Sequence, residues 1–453
     1  MTETHMTGAA IQEKVRALMP ELKDDLVRLS RIPSISTTTE VSAEVIEAHD
    51  LVVELLRGAG VTHVDSVSLP GTAPVIVGEI PAPEGAPTVL LYSHYDVVPA
   101  GDESLWTSPP WEPTERDGAL YGRGTSDSKA NIIAHIGALR AWDGKPPVGI
   151  KLVIEGQEEV GGGDLTNYAR SHADAFRSDA MIIGDAGSVR PGVPTLTIGL
   201  RGMAQLKIEV STLAGAKHSG QYGGAAPDAL IVLIQALAAL HDENGDVAVP
   251  GLRREEWSGT DYSDEEFRAL AEINDGLPFQ GTGGLGSRLW SGPAITVIGI
   301  DAPSVAGALN AVQPNAAAKL NVRVHPAQDA KEAQAAVVSF LEGLKPFGIP
   351  LKVTPLETGN GFLAEISGPA YTAAKEAMSA AWGSETAIVA TGGSIPLVNA
   401  LAEAVPEAEI LLLGATDGYS NIHAPDERVI LDELEKAAIA EAEFFQRFAE
   451  QRG

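Results

Sequence analysis

The sequence contains no cysteine. That excludes disulfides, thiolate metal ligands and a cysteine nucleophile, so any bound metal must be held by histidine and carboxylate side chains. Basic residues are scarce, with 32 Lys and Arg against 61 Asp and Glu and a formal net charge of −29. Nucleic acid and anionic membrane are therefore not expected as partners, because both are polyanions. Long apolar runs are lacking as well. The longest, Ala229 to Leu240 broken by Gln235, falls short of the about 20 residues that span a bilayer. The opening stretch MTETHMTGAAIQEKV has no basic segment leading into an apolar one. No secretory signal is expected, and the cytoplasm is the expected location.

What is present is a globular composition, 44% hydrophobic and 21% charged over 453 residues, enough for two or three ordinary domains. Residues 11–32 repeat apolar positions at helical spacing, a pattern interrupted by Pro20 and stopped near Pro33. Further on, short apolar runs alternate with helical ones. Strands are expected at 88–92, 151–154 and 180–183 and a helix at 128–142, the signature of an α/β domain with a largely parallel sheet. Residues 203–210 and 319–324 instead alternate as antiparallel strands do, with helices expected at 228–240 and 331–344. The α/β character resumes near Gly359 and ends in a helix whose buried stripe is expected to be Ile430, Leu434, Ala438, Phe445 and Phe448. The expected order is a discontinuous α/β domain, 1–200 and 357–453, interrupted by an α+β domain at 201–356.

The chemistry-bearing residues fall at predicted strand ends, where open α/β sheets place their sites. His94 and Asp96 follow strand 88–92 two residues apart. Their side chains leave on one face, so Asp96 could orient the His94 ring, although His-x-Asp alone is more often structural. Asp127 lies in a glycine-rich turn opening a helix, where it could equally be an N-cap. Glu158 and Glu159 follow strand 151–154 and precede three glycines. Such a pair is commonly just solvated, but adjacent side chains point differently, so one could bind metal while the other faces substrate. Asp185 closes strand 180–183, and His423 precedes the last helix. Two histidines and these carboxylates form the nitrogen and oxygen donor set of two divalent ions about 3.5–4 Å apart. His5, His49, His63, His135, His172 and His241 have no such partners and are expected to be structural.

The segments SHYDVVP, YGRGTSDSKA, EGQEEVGG, GDAG, KHSGQYGG, GGSIP and SNIHAPDE together resemble, in order, the di-zinc metallopeptidase family of carnosinases, bacterial dipeptidases, aminoacylases and glutamate carboxypeptidases. The likeness runs from about Leu22 to the C-terminal helix and is greatest to the bacterial dipeptidases. It implies a zinc-peptidase catalytic domain with a mixed, mostly parallel sheet, and an inserted domain that serves as lid and dimerisation unit. By motif, Asp127 would bridge two metal ions, zinc with manganese as the alternative. His94 and Asp185 would complete one ion, Glu159 and His423 the other. Glu158 would be the general base for a bridging water, Asp96 would hold His94, and the peptide bond after Asp127 would be cis. His218 would reach across a homodimer to the substrate carbonyl. Arg323 would take the substrate's carboxylate, helped by Gly392, Gly393 and Ser394.

Two departures affect the substrate end. Animal carnosinases carry Arg-Glu where this chain has Ala390-Thr391, and their HisGlyGlyLysProTrp-like segment is replaced by Glu357–Phe362. Neither touches an implied ligand. The expected activity is hydrolysis of dipeptides with a free C-terminal carboxylate. Amide hydrolysis of N-acyl amino acids or carboxypeptidase action on longer substrates is the alternative, and a non-catalytic binding protein the remote one. Retention of Glu158 beside Glu159 argues against the last, since holding a metal needs no base.

Overall fold

The computed structural model describes residues 6–161, 163–393 and 395–452. The chain forms two compact units. The first runs to Ile198 and takes in Ala364–Val389 and the chain from Pro396; the second is Gly199–Leu363 with Ala390–Ile395. Ser394 lies outside the described residues, as does His5.

In the first unit four central strands are parallel, in the order Gly149–Glu155, Thr88–His94, Ala180–Gly184, Glu409–Leu413. They are apolar and almost wholly buried, as strands covered on both faces must be. Val75–Ile80 and His63–Val67 extend one edge antiparallel, and Thr195–Leu200 meets the other at Leu412. The expected α/β class with a mixed sheet is thus observed. Because the central strands run the same way, their C-terminal ends share one edge, and that edge carries His94, Glu155 and the residue after Gly184.

Helices Gly8–Ser30, Lys129–Ala141, Pro369–Trp382 and Leu431–Arg452 pack on one another. Leu22, Leu26, Leu434, Ala438, Phe445 and Phe448 are among their fully buried side chains. Two expectations need correcting. Pro20 does not interrupt the first helix, which continues through it. Pro20 is on the exposed side, so the carbonyl deprived of its hydrogen bond can turn to water. Ile430 is not on the last helix but ends the short strand Arg428–Ile430, paired with Ala119–Tyr121. No helix among the described residues is long and apolar enough to cross a membrane.

The second unit is a four-stranded antiparallel sheet in the order Ala294–Asp301, Asn315–Val324, Gly202–Ser211, Lys352–Gly359. Alternation is strict. Ala204, Leu206, Ile208 and Val210 join Ala316, Ala318, Leu320 and Val322 in a core shared with helices Ala229–Ala238 and Ala330–Leu344. Residues of the other parity form the sheet's second face, Met203 and Arg323 among them. On the edge strand Ala294–Asp301, Val297, Ile298 and Ile300 are exposed, as are Ile231 and Ile234 of the shorter helix.

One buried ion pair in the first unit organises the loop before helix Lys129–Ala141. Glu427, completely buried, accepts hydrogen bonds from the N–H groups of Gly124 (2.9 Å), Ser126 (3.0 Å) and Asp127 (3.0 Å), and from Arg123 Nη1 (2.5 Å). Gly124 is required twice over: its φ is +79°, and a Cβ there would lie 2.6 Å from Val97 Cγ1. Arg123 Nη2 also donates to the Ala424 carbonyl at 3.3 Å, next to His423. Glu427→Ala would leave a buried guanidinium and three N–H groups unanswered. Chemical unfolding should show a loss of about 3–5 kcal/mol, the usual effect of breaking a buried pair from one side. A loss below about 1 kcal/mol, the level of a solvent-exposed pair, would show that the loop does not depend on this residue.

Candidate active site

The parallel strands, the glycine-rich loop and the segment before the last helix bring His94, Asp127, Glu158, Glu159, Asp185 and His423 together. All six belong to the first unit. His94 Nε2 lies 3.1 Å from Asp127 Oδ1 and 3.3 Å from Asp185 Oδ1. His423 Nε2 lies 3.1 Å from Asp127 Oδ2 and 3.0 Å from Glu159 Oε2. The two oxygens of one carboxylate thus face two separate histidine–carboxylate pairs. Glu158 offers a further carboxylate oxygen within ligand range of His94 and Asp185, and Glu159 one within range of His94 and Asp127. The contact near 3 Å places Glu159 Oε2 beside His423.

Asp96 ties the arrangement together. It is fully buried, and His94 Nδ1 lies 3.1 Å from its carbonyl and 3.4 Å from its Oδ1. Its Oδ1 and Oδ2 also accept from the N–H groups of Glu158 (3.2 Å) and Glu159 (3.1 Å). One carboxylate therefore orients the His94 ring and the turn Glu158–Val160. The hydroxyls of Ser93 and Ser128 bond each other at 2.8 Å, and Ser128 donates to the Gly184 carbonyl at 2.8 Å. These bonds join the start of the helix to two strand ends. The Asp127–Ser128 peptide is cis.

The donor set fits cations. With Nδ1–H committed to Asp96, the Nε2 lone pair of neutral His94 points at two carboxylate oxygens, an acceptor facing acceptors. Only a proton or a metal ion resolves that. His94 is accordingly pushed well above the usual histidine range: burial opposes its charge, but Asp127, Asp185 and Asp96 outweigh it. His423 is pushed up to about 10, first by its bond to Asp127 and then by Glu159. Burial works against ionised Asp127, yet His423 and His94 hold it well below the usual carboxylate range. Glu158 and Asp185 are pushed up, each mainly by burial. Asp185 adds to the effect on Glu158, and at Asp185 burial outweighs the lowering contact with His94. Glu159 Oε1 is buried with no hydrogen-bond partner. Crowded carboxylates, two imidazoles and an orphaned oxygen are the pattern of a site short of positive charge.

The other residues singled out from the sequence belong to the second unit. His218 is exposed, on a two-residue strand paired with Ala311–Val312, and its Nδ1 accepts from the Gly220 N–H at 3.1 Å. Arg323 is half-buried on the second face of the sheet. Gly392 and Gly393 follow Thr391, whose hydroxyl accepts from the Gly393 N–H at 3.4 Å. Ser394 cannot be placed, being outside the described residues. Of the histidines expected to be structural, His135 is buried against Glu441 at 2.7 Å, and His49 bonds Ser66 and Asp50. Two residues escaped the sequence reading. Glu427 was visible only as the end of the last motif, and nothing local tied it to residues 123–127. Arg201 sits in an unremarked Gly-Leu-Arg-Gly stretch.

Comparison with known proteins gives the family. Peptidase family M20/M25/M40 matches residues 90–447. A cysteinylglycine-S-conjugate dipeptidase of Corynebacterium striatum is 43% identical over 380 residues, 82% of this chain and 83% of that protein. A human Beta-Ala-His dipeptidase is 30% identical over 385 residues, 81% of this chain and 75% of its own length. Among solved structures, the di-peptidase Dug1p of Saccharomyces cerevisiae shares the fold with a TM-score of 0.79 at 24% identity, covering 98% of this chain and 99% of that one. With the family matched over most of its length and relatives of this identity, the chain belongs to peptidase family M20/M25/M40 and is a metal-dependent peptidase.

Proposed function

We propose that this protein hydrolyses dipeptides carrying a free C-terminal carboxylate, using two divalent cations held by His94, Asp127, Glu159, Asp185 and His423. The observation that most supports the reading is the Asp127 carboxylate, whose two oxygens face different histidine–carboxylate pairs at 3.1 Å each. Zinc is the proposed metal; nitrogen and oxygen donors suit it, and they suit manganese as well. Bound there, the ions would supply Lewis acidity, lowering the pKa of a shared water and polarising the scissile carbonyl.

The chain's own residues would do the rest. Glu158, raised in proton affinity by its burial, would take a proton from the attacking water and pass it to the leaving nitrogen as the carbon–nitrogen bond breaks. Asp96 would keep His94 in the Nδ1–H tautomer that a ligand needs. Arg323 would receive the substrate carboxylate, with the backbone of Gly392 and Gly393 and the residue Ser394 beside it. The names of the relatives, which act on cysteinylglycine conjugates and Beta-Ala-His, support dipeptides as the substrate class. Action in the cytoplasm is part of the proposal, consistent with a chain that has no cysteine.

The proposal extends to a homodimer formed through the second unit. Exposed Val297, Ile298 and Ile300 on an edge strand, with Ile231 and Ile234 on the neighbouring helix, are apolar surface suited to a twin edge. His218 would act in the partner's site. Since its Nδ1 accepts from Gly220, its proton is on Nε2, free to be donated to a developing oxyanion.

Two experiments test this. In a panel of dipeptides, tripeptides and N-acetyl amino acids with added Zn²⁺ or Mn²⁺, the dipeptides should be hydrolysed fastest. Glu158→Ala should keep its metal, by elemental analysis, while dipeptide turnover falls by about 10²–10⁴, the range of general acid–base catalysis. Preference for N-acetyl amino acids, or full turnover without Glu158, would refute the respective part. For assembly, His218→Ala subunits are mixed with Glu158→Ala subunits, with exchange confirmed separately. Activity should reappear from two nearly dead parents, since one site in a mixed dimer is intact; no recovery would mean that His218 serves its own subunit or none.

A further inference from the structure

Arginines are few in this acidic chain, and the exposed ones in the second unit have partners: Arg253 pairs with Glu255 at 2.5 Å and Arg254 with Asp246 at 2.6 Å. Buried Arg201 differs from them. It is 8% exposed, yet among the described residues no carboxylate pairs with it. Its Nη1 reaches only two carbonyls at long range, Arg288 at 3.5 Å and Gly292 at 3.4 Å, and its Nε has no hydrogen-bond partner. A buried guanidinium in that state is costly unless something else supplies the negative charge.

Its neighbours show where that charge would enter. Met203 pairs with Arg323 across the sheet. Arg201 directly precedes this strand, two residues before Met203, and is close enough to Arg323 to feel its charge. Arg323 likewise makes no side-chain hydrogen bond or ion pair among the described residues. Burial, and after it the Arg323 charge, pushes Arg201 down to about 10, so the two cations sense each other. On the third side is Gly392, where a Cβ would lie 2.9 Å from Arg201 Nη2. A glycine there leaves room that any other residue would fill. Two neighbouring guanidiniums without a carboxylate partner among the described residues, one of them against the Gly392 backbone, are the parts of an anion receptor.

We propose that Arg201 and Arg323 make one receptor for the carboxylate of the substrate, Arg323 meeting it and Arg201 supplying the second positive charge from beneath. The proposal rests on the dipeptidase reading above, in which the substrate has a free C-terminal carboxylate. Arg201 is a positioning residue, which strengthens the field at the carboxylate and keeps Arg323 turned toward it by repulsion. A merely structural Arg201, bracing the carbonyls of Arg288 and Gly292, would affect all substrates alike.

The test compares kcat and KM for one dipeptide and its C-terminal amide in the wild type, Arg201→Met, Arg201→Lys and Arg323→Met. Inhibition by a free amino acid and by its amide is measured alongside. The wild type should prefer the free dipeptide strongly. Arg201→Met should lose about tenfold or more of that preference, mostly through KM, as expected when a charge partner of a bound ion is removed. Inhibition by the free amino acid should weaken in parallel, and Arg201→Lys should restore part of both. If Arg201→Met does not fold, Arg201→Lys and Gly392→Ala carry the test, since each disturbs the receptor while preserving a buried cation; each should then lower the preference. Arg201 variants that keep the wild-type preference while Arg323→Met loses it would overturn this inference alone. A wild type indifferent to amidation would instead overturn the carboxylate-first reading on which it rests.

Discussion

Everything at the active edge depends on how a group of buried carboxylates is neutralised. Asp96, Asp127, Glu155, Glu158, Glu159 and Asp185 lie at or just beyond the ends of parallel strands, or in the loop facing them, with His94 and His423 as the counter-charges in contact. Like charges packed this closely repel, and burial strengthens the repulsion. One of them has a local partner: Tyr92 donates its hydroxyl to Glu155 at 2.5 Å, and burial pushes that carboxyl up to about 8. The others are left needing cations. A site built this way binds metal because the protein by itself does not balance the charge.

The surroundings hold that imbalance in a fixed geometry. Asp96 clamps both the His94 ring and the Glu158–Glu159 turn. Glu427 clamps the loop that presents Asp127, and Arg123 links that loop to the segment bearing His423. Lys129, fully buried, ties the start of its helix to the carbonyls of Leu29 and Ile32 at 3.1 and 2.9 Å. The candidate ligand positions thus belong to a connected framework of strand ends and caps. The receptor proposed at Arg201 and Arg323 is the same device with the sign reversed: positive charge without a carboxylate partner among the described residues.

Much of this was legible in the sequence because strand ends and helix starts carry local signals. Buried parallel strands read as short apolar runs, and polar residues directly after them, His94 and Asp185, stand out. The two-residue alternation in 203–210 and 319–324 likewise announced an antiparallel sheet with one buried face. What could not be read depends on contacts distant in sequence. Pro20 looked like a helix breaker because the pattern does not say which side meets water. Ile430 fits a helical stripe by spacing, but pairing with a distant strand takes it. Glu427 and Arg201 have no local signature, since the first gains its meaning from a loop some three hundred residues earlier and the second from the absence of partners.

The proposed chemistry turns on one carboxylate, Asp127, shared by two cations. Electron paramagnetic resonance of the metal-free protein titrated with Mn²⁺ addresses it most directly, because two manganese ions sharing a carboxylate at about 3.5–4 Å are magnetically coupled. Two ions per chain with a coupled-pair spectrum is the predicted result. Binding of a single ion, or of two whose spectra remain those of isolated Mn²⁺, would contradict it.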